Sequence, residues 1–355
     1  MKSQIPLTPY SKFIRDFCVK YLRNSKHGSS KTIEAYKVGL KHFMRWNSES
    51  NNISINNIFF ENLGYDTFID FRNEMSDRGY STRSCNLYLA ANKSYINYCA
   101  SKDVTLQSIA YSVCKVPAFR IEIKPQSHID NEDALAILLD SPKCDYHGIR
   151  DRTILSCLFD GALRGNELVS ILYGDISWDE EVNVLIHGKG HKERRIWFSP
   201  ECKALMINYR TMFHSDSDPL CPFFYTVISG KKKAMTTRNL QRIVDVYSKK
   251  TRDILSMKYG SKSESMLPSK ITPHTLRRTR ATLLLRDGGS LEDISVFLGH
   301  ASIETTRKHY AFLSEEQKKK LAKKNNNALP TVEDTGQTQT KLWNTGDELT
   351  DLFDF

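Results

Sequence analysis

The chain is expected to fold mainly as α-helix with a small β-sheet, divided between two domains. Three observations carry that expectation. A length of 355 residues exceeds what one ordinary core organises. Apolar side chains recur at helical spacing through most of the sequence. One stretch alone, VNVLIHGKGHKERRIWF, has strand-type residues on both sides of Gly188-Lys189-Gly190 and reads as a β-hairpin.

Taken in order, SSKTIEAYKVGLKHFMRW carries a helical stripe of Ile33, Tyr36, Leu40, Phe43 and Met44, with Ser29 or Ser30 as its cap. YDTFIDFRNEMSDRG and STRSCNLYLAANKSYINYCASKD give two more amphipathic helices, the first closed by Gly79 and the second capped by Ser81. Residues 1–115 are therefore expected as a helical domain. VPAFRIEIKPQSH, residues 116–128, has two prolines and no helical stripe, so it reads as an extended interdomain linker.

The second domain, residues 129–325, begins with helical NEDALAILL, and GIRDRTILSCLFDGALRGNELVSIL reads as two helices broken near Gly161. After the hairpin, helices return from Thr236 onward. One opens with Thr272 as cap and Pro273 in its first turn and stops at Gly288-Gly289. The next runs from Ser290 to Gly299 with Glu292 and Asp293 in its first turn, and Ser302 caps a following segment. EEQKKKLAKKNNN runs from acids to lysines, which suits a helix macrodipole. Residues 326–355 form a polar, flexible acidic tail in which GDELTDLFDF has the pattern of a short docking helix.

Charge narrows the function. The net charge is +10, yet the last thirty residues hold six acidic side chains and one lysine, so residues 1–325 carry +15. That excess suits a polyanion, because Lys and Arg that neutralise phosphates release counterions. Lys31, Arg45, Arg72, Arg83 and Lys93, on the polar faces of the first helices, are the candidate DNA contacts. No apolar run approaches the ~18 residues that span a bilayer, and MKSQIPLTPYSKF lacks an apolar signal core. A cytoplasmic protein without a membrane partner is expected. Eight cysteines without a CxxC pair read as reduced, mostly buried thiols.

The chemistry is concentrated in a few side chains. His274 and Arg277 stand three apart near the positive end of one helix, where an anion would meet backbone N–H groups, an imidazole and a guanidinium. Arg164 opens a helix with Glu167 one turn on, and its planar fork suits a phosphate. Lys189 sits between two glycines at the hairpin tip. His187 and His191 flank it with metal-like spacing, but no neighbouring acid or cysteine completes a ligand set, so no metal site is expected. Gly299-His300 ends a helix, and Tyr310 follows ten residues after His300.

Together GALRGNEL, GKGHKERR, HTLRRTRATLLL and LGHASIETTRKHYA resemble the motifs of the tyrosine recombinase (phage integrase) family, of the mobile-element or phage type. The resemblance implies a helical core-binding domain followed by a mixed α+β catalytic domain. It implies that Tyr310 attacks the scissile phosphorus and forms a 3′-phosphotyrosyl link. Arg164 and Arg277 would clamp the nonbridging oxygens, Lys189 would protonate the leaving 5′-oxygen, His274 would take or relay the phenol proton, and His300 would hydrogen-bond the phosphate. The implied partners are double-stranded DNA recombination sites bound by a homotetramer, with no metal, ATP or other cofactor. Two departures stand out: His309 occupies the ninth place after His300 where many relatives have the tyrosine, and Asp160 replaces a small residue or Thr before Gly161. The readings this must defeat are a type IB topoisomerase-like relaxer and a non-enzymatic DNA-binding regulator.

Overall fold

The computed structural model describes residues 8–25, 30–121, 127–188, 193–215, 218–300, 302–304 and 306–307. The chain separates into two compact units, residues 1–124 and 125–355. Lys189, Tyr310, the basic run 315–327 and the acidic tail lie outside the described residues.

In the first unit, helical turns from Tyr10 to Ser25 lead into α1 (Ser30–Asn51), α2 (Tyr65–Asp77), α3 (Thr82–Ala100) and α4 (Gln107–Cys114). The helix stripe expected in α1 is buried at Leu40 and Phe43. Its core is aromatic, with Phe43 stacked on Phe68 at 4.5 Å and edge-on to Phe71. Gly39 lets α1 cross α3 closely, since a β-carbon there would lie 2.9 Å from that of Ala91. The buried Asn92 amide accepts from the Tyr10 hydroxyl and donates to the carbonyls of Tyr88 and Gly39, so one polar side chain ties three segments together. Ser81 caps α3 as expected, accepting from the Ser84 N–H. Val116 is buried in this core and Phe119 packs against it.

The second unit contains α5 (Glu132–Asp140), α6 (Tyr146–Asp160), the short α7 (Gly165–Ser170), α8 (Pro200–Phe213), the long α9 (Thr237–Tyr259), α10 (Pro273–Arg286) and α11 (Leu291–Leu298). Strands β1 (Ile176–Ser177), β2 (Asn183–His187) and β3 (Glu193–Trp197) form an antiparallel sheet, with His187 opposite Glu193 as the last pair before the hairpin tip. Helix α10 opens with a Thr272 cap and Pro273 in its first turn and stops before Gly288, and α11 is capped by Ser290 and ends on a left-handed Gly299. The main core gathers side chains from α5 to α10 and the sheet; a smaller one joins Ala162, Ala281, Leu285, Ile294 and Leu298.

The mainly helical architecture with small antiparallel sheets is the fold class expected from the sequence. A second hairpin, β4 (Tyr225–Ile228) with β5 (Lys231–Ala234), is an addition to that expectation. Its second strand reads KKKA and is exposed throughout, so it carries no alternation to betray it. Among the described residues, no helix is long and apolar enough to cross a membrane. All eight cysteines are free thiols, six of them buried.

Candidate active site

Four of the six expected catalytic residues are described: Arg164, His274, Arg277 and His300. Three of them converge through backbone contacts. Arg164 is the N-cap of α7; its N–H donates to Glu167 at 2.9 Å and its Nη1 to the same carboxylate at 2.7 Å. The short helix thus points the guanidinium out of a loop, and the side chain stays 41% exposed.

Arg277 lies one turn deeper along α10 than His274. Their spacing predicts a shared anion-facing surface, but the structure leaves His274 exposed and Arg277 only 2% exposed. The reason is tertiary: Arg277 reaches two carbonyls from other segments of the chain. It donates to Ala162 and to Leu298, each at 2.6 Å. Ala162 precedes Arg164 by two residues and Leu298 precedes His300 by two, so one fork fixes the chain on both sides of the cleft. Ala162 has a φ of +44°, a conformation uncommon for a side-chain-bearing residue, and that turn aims its carbonyl at Arg277.

Glu167 is the charge centre. Burial alone would raise its pKa, but the Arg194 guanidinium, the Arg164 N–H and the Arg164 guanidinium hold it down to about 2. Arg194, from β3, grips the carboxylate with both terminal nitrogens at 3.1 and 2.9 Å, and Arg277 lies 3.8 Å away. Three guanidiniums therefore share one carboxylate. Sequence reasoning did not single out Arg194. Strand parity was the available signal, since Arg194 lies two residues from the inward Ile196 and faces the same side.

His300 follows Gly299, and its Nδ1 bonds the Thr306 hydroxyl at 2.7 Å. Gly299 has a φ of +62°, and a β-carbon there would lie 2.8 Å from Arg194 Nη1. Glycine is thus needed both for the turn and for the guanidinium that passes it. His274 is held at the start of α10, where Pro273 lies 3.6 Å from a β-carbon built on Gly165, the residue after Arg164.

A cleft of ≈ 850 Å³ is lined by Arg164, Glu167, Arg194, Gly299 and His300 together with His187, Gly188 and Glu193 at the base of the β2–β3 hairpin. The ring nitrogens of His187 bond Asp175 at 3.1 Å and Glu193 at 2.9 Å, two ion-pair partners that the sequence reading did not single out. Asp175 comes from the turn before β1, a proximity that only the fold creates. Among the described residues no group of side chains is suited to hold a metal ion. Asp160, the departure near Gly161, is buried; it accepts from the Ser199 N–H and pairs with Arg280 at 3.3 Å.

The five candidate DNA contacts divide. Lys31, Arg45 and Arg83 are exposed. Arg72 donates to the Pro117 carbonyl and stacks on Phe119, and Lys93 donates to the carbonyls of Cys114 and Val116. Those last two cations hold the first unit's C-terminal segment.

Residues 128–317 match the phage integrase family and residues 16–103 match the phage integrase N-terminal SAM-like domain. The chain belongs to the phage integrase family. It is an enzyme of the tyrosine recombinase class. It is 26% identical to tyrosine recombinase XerC of Chlamydia caviae over 302 residues, 81% of this chain and 90% of that protein. Two solved structures share the fold. XerH site-specific recombinase bound to palindromic difH substrate has a TM-score of 0.64 at 19% identity, covering 88% of this chain and 84% of that one. The Tn1549 transposon integrase in complex with transposon right end DNA has a TM-score of 0.60 at 16% identity, covering 87% and 99%.

Proposed function

We propose that this phage integrase family member is a site-specific recombinase that cuts and rejoins duplex DNA through a 3′-phosphotyrosyl intermediate on Tyr310. The observation that carries the reading is the charge arrangement at the cleft, where Arg164, Arg194 and Arg277 face a single carboxylate, Glu167. Three cations set against one anion leave this cluster net positive, with the preoriented Arg164 guanidinium half-exposed to the cleft. Such a site favours the phosphorane, on which negative charge builds, over the ground-state diester.

In this reading Arg164 forks onto the nonbridging oxygens while Arg277 adds charge from the buried side and fixes the loops that carry Arg164 and His300. His300 hydrogen-bonds the phosphate and His274 relays the phenol proton. As the Tyr310 oxygen–phosphorus bond forms, the bond to the 5′-oxygen breaks, and Lys189 supplies the proton to that leaving group. A phenol ionises near a pKa of ~10, so proton removal is required near neutrality. Bond energy is kept in the ester, and rejoining is the reverse attack by a 5′-hydroxyl.

The proposed setting is integration, excision or transposition of a mobile element, with four protomers on two DNA sites and the helical first unit as the core-binding domain. XerH and the Tn1549 integrase, which share the fold, are bound to difH substrate and to transposon right end DNA. Tyr310→Phe tests the chemistry: the variant should bind DNA yet form no covalent adduct on a denaturing gel. An adduct that persists overturns the assignment. A type IB relaxer is separated by a labelled two-site reaction, because a relaxer yields no recombinant strands.

A further inference from the structure

We propose that His187 is a positioning residue whose imidazolium clasps the base of the β2–β3 hairpin and thereby supports the acid role proposed for Lys189, which follows it in sequence. The inference rests on the reading of Lys189 as the acid that protonates the 5′-oxygen.

The geometry is a chain of fixed contacts. Asp175 is anchored first: its Oδ2 accepts from the Leu172 N–H at 2.8 Å, which pins the carboxylate to a turn outside the hairpin. Its Oδ1 meets His187 Nε2 at 3.1 Å, and His187 Nδ1 meets Glu193 Oε1 at 2.9 Å. His187 and Glu193 are the last cross-strand pair, and Lys189 follows two residues later. The half-exposed ring therefore links both strands of the hairpin, at its final rung, to the turn before β1.

Only the doubly protonated ring can donate to both carboxylates. A neutral imidazole would turn a lone pair toward one of them, and that contact would open. The hydrogen bond to Asp175, followed by that to Glu193, raises the His187 pKa above its ordinary value. The other charged neighbours do not compete. Glu167 is occupied by Arg164 and Arg194, and Arg195, opposite Leu185, donates to Asn183. His300, which also lines the cleft, is bonded to Thr306. The clasp is complete at low pH and is lost as pH rises through the raised value.

The experiment is single-turnover cleavage of a nicked duplex containing the inverted repeats beside the gene, read as covalent adduct. It is run with an ordinary 5′-oxygen leaving group and with a 5′-bridging sulfur, which departs without a proton. Wild type should slow with the oxygen substrate as pH rises through the raised His187 value and hold its rate with sulfur. His187→Gln should slow oxygen cleavage roughly 10- to 100-fold, the scale of a misplaced catalytic group, and should regain near wild-type rate with sulfur. His187→Lys, a permanent cation, should keep the rate and flatten the pH response. Glu193→Gln, which leaves the Asp175 bond, should show the same sulfur rescue if His187→Gln folds poorly. Equal slowing of both substrates, or wild-type rates on both, would overturn the role of His187. Lys189→Ala separates the two levels: without sulfur rescue there, the assignment of Lys189 fails and the clasp fails with it.

Discussion

Arg277 donates to the carbonyl of Ala162, 115 positions earlier in the chain, at 2.6 Å. That bond, with its partner to Leu298, joins the start of the Arg164 loop to the end of the helix before His300. This fully buried cation thus holds the cleft together, which makes its chemistry and its stability inseparable.

Replacing Arg277 by Lys keeps the charge but not the fork. One buried carbonyl is deprived of its donor, and charged hydrogen bonds of this kind contribute about 1.5–3 kcal/mol each. The urea midpoint of the Arg277→Lys protein should fall by a corresponding amount, with the slope unchanged. An unaltered midpoint would mean that the fork does not hold the two loops.

Glu167 makes stability depend on acid. Its folded pKa of about 2 lies below the ordinary carboxyl value, so its contribution is complete above that ordinary value and is lost as pH falls through the folded one. The difference corresponds to roughly 3 kcal/mol at neutral pH. Urea unfolding from about pH 5 to pH 2 should show this loss in wild type, and Glu167→Gln should lack that part of the slope while starting less stable.

Gly299→Ala places a methyl group where Arg194 passes, on a backbone with φ +62°. The left-handed conformation alone costs an alanine about 1 kcal/mol. Displacement of Arg194 from Glu167 should add to that. A thermal melt should show a destabilised variant, and cleavage should fall with it. Wild-type melting would mean that the loop relaxes freely.

The cations of the first unit should separate by assay. Lys31→Ala, Arg45→Ala and Arg83→Ala should weaken DNA binding and reduce the dependence of log affinity on log salt by about one for each phosphate no longer neutralised. Arg72→Ala and Lys93→Ala should instead lower the unfolding midpoint, because they free the segment from Cys114 to Phe119. Burial pushes the Lys93 ammonium pKa down, as expected of a cation used internally. A salt slope changed by Lys93→Ala with stability intact would reverse that assignment.

Much of this molecule is written locally. Thr272, Pro273 and Ser290 announce helix starts, Gly299 announces an end, and α1 shows its buried face through apolar spacing, because caps and periodicity depend on neighbours three or four residues away. The family motifs were legible for the same reason: each is a short run with its own local geometry. The β4–β5 hairpin was not legible, since a lysine-rich exposed strand has no alternating pattern.

The sequence by itself determined the fold class, several helix starts and ends such as those at Ser81, Thr272, Ser290 and Gly299, and the identity of the catalytic side chains proposed here, but not the helices Gln107–Cys114 and Pro200–Phe213. Tertiary structure alone decided how those side chains are used. It turned Arg277 inward to two distant carbonyls, gathered Arg194 around Glu167, and set Asp175 against His187. The physical reason is that a charged group in a folded chain is placed by whichever polar partners the packing brings within about 3 Å, and those partners here come from segments far apart in sequence.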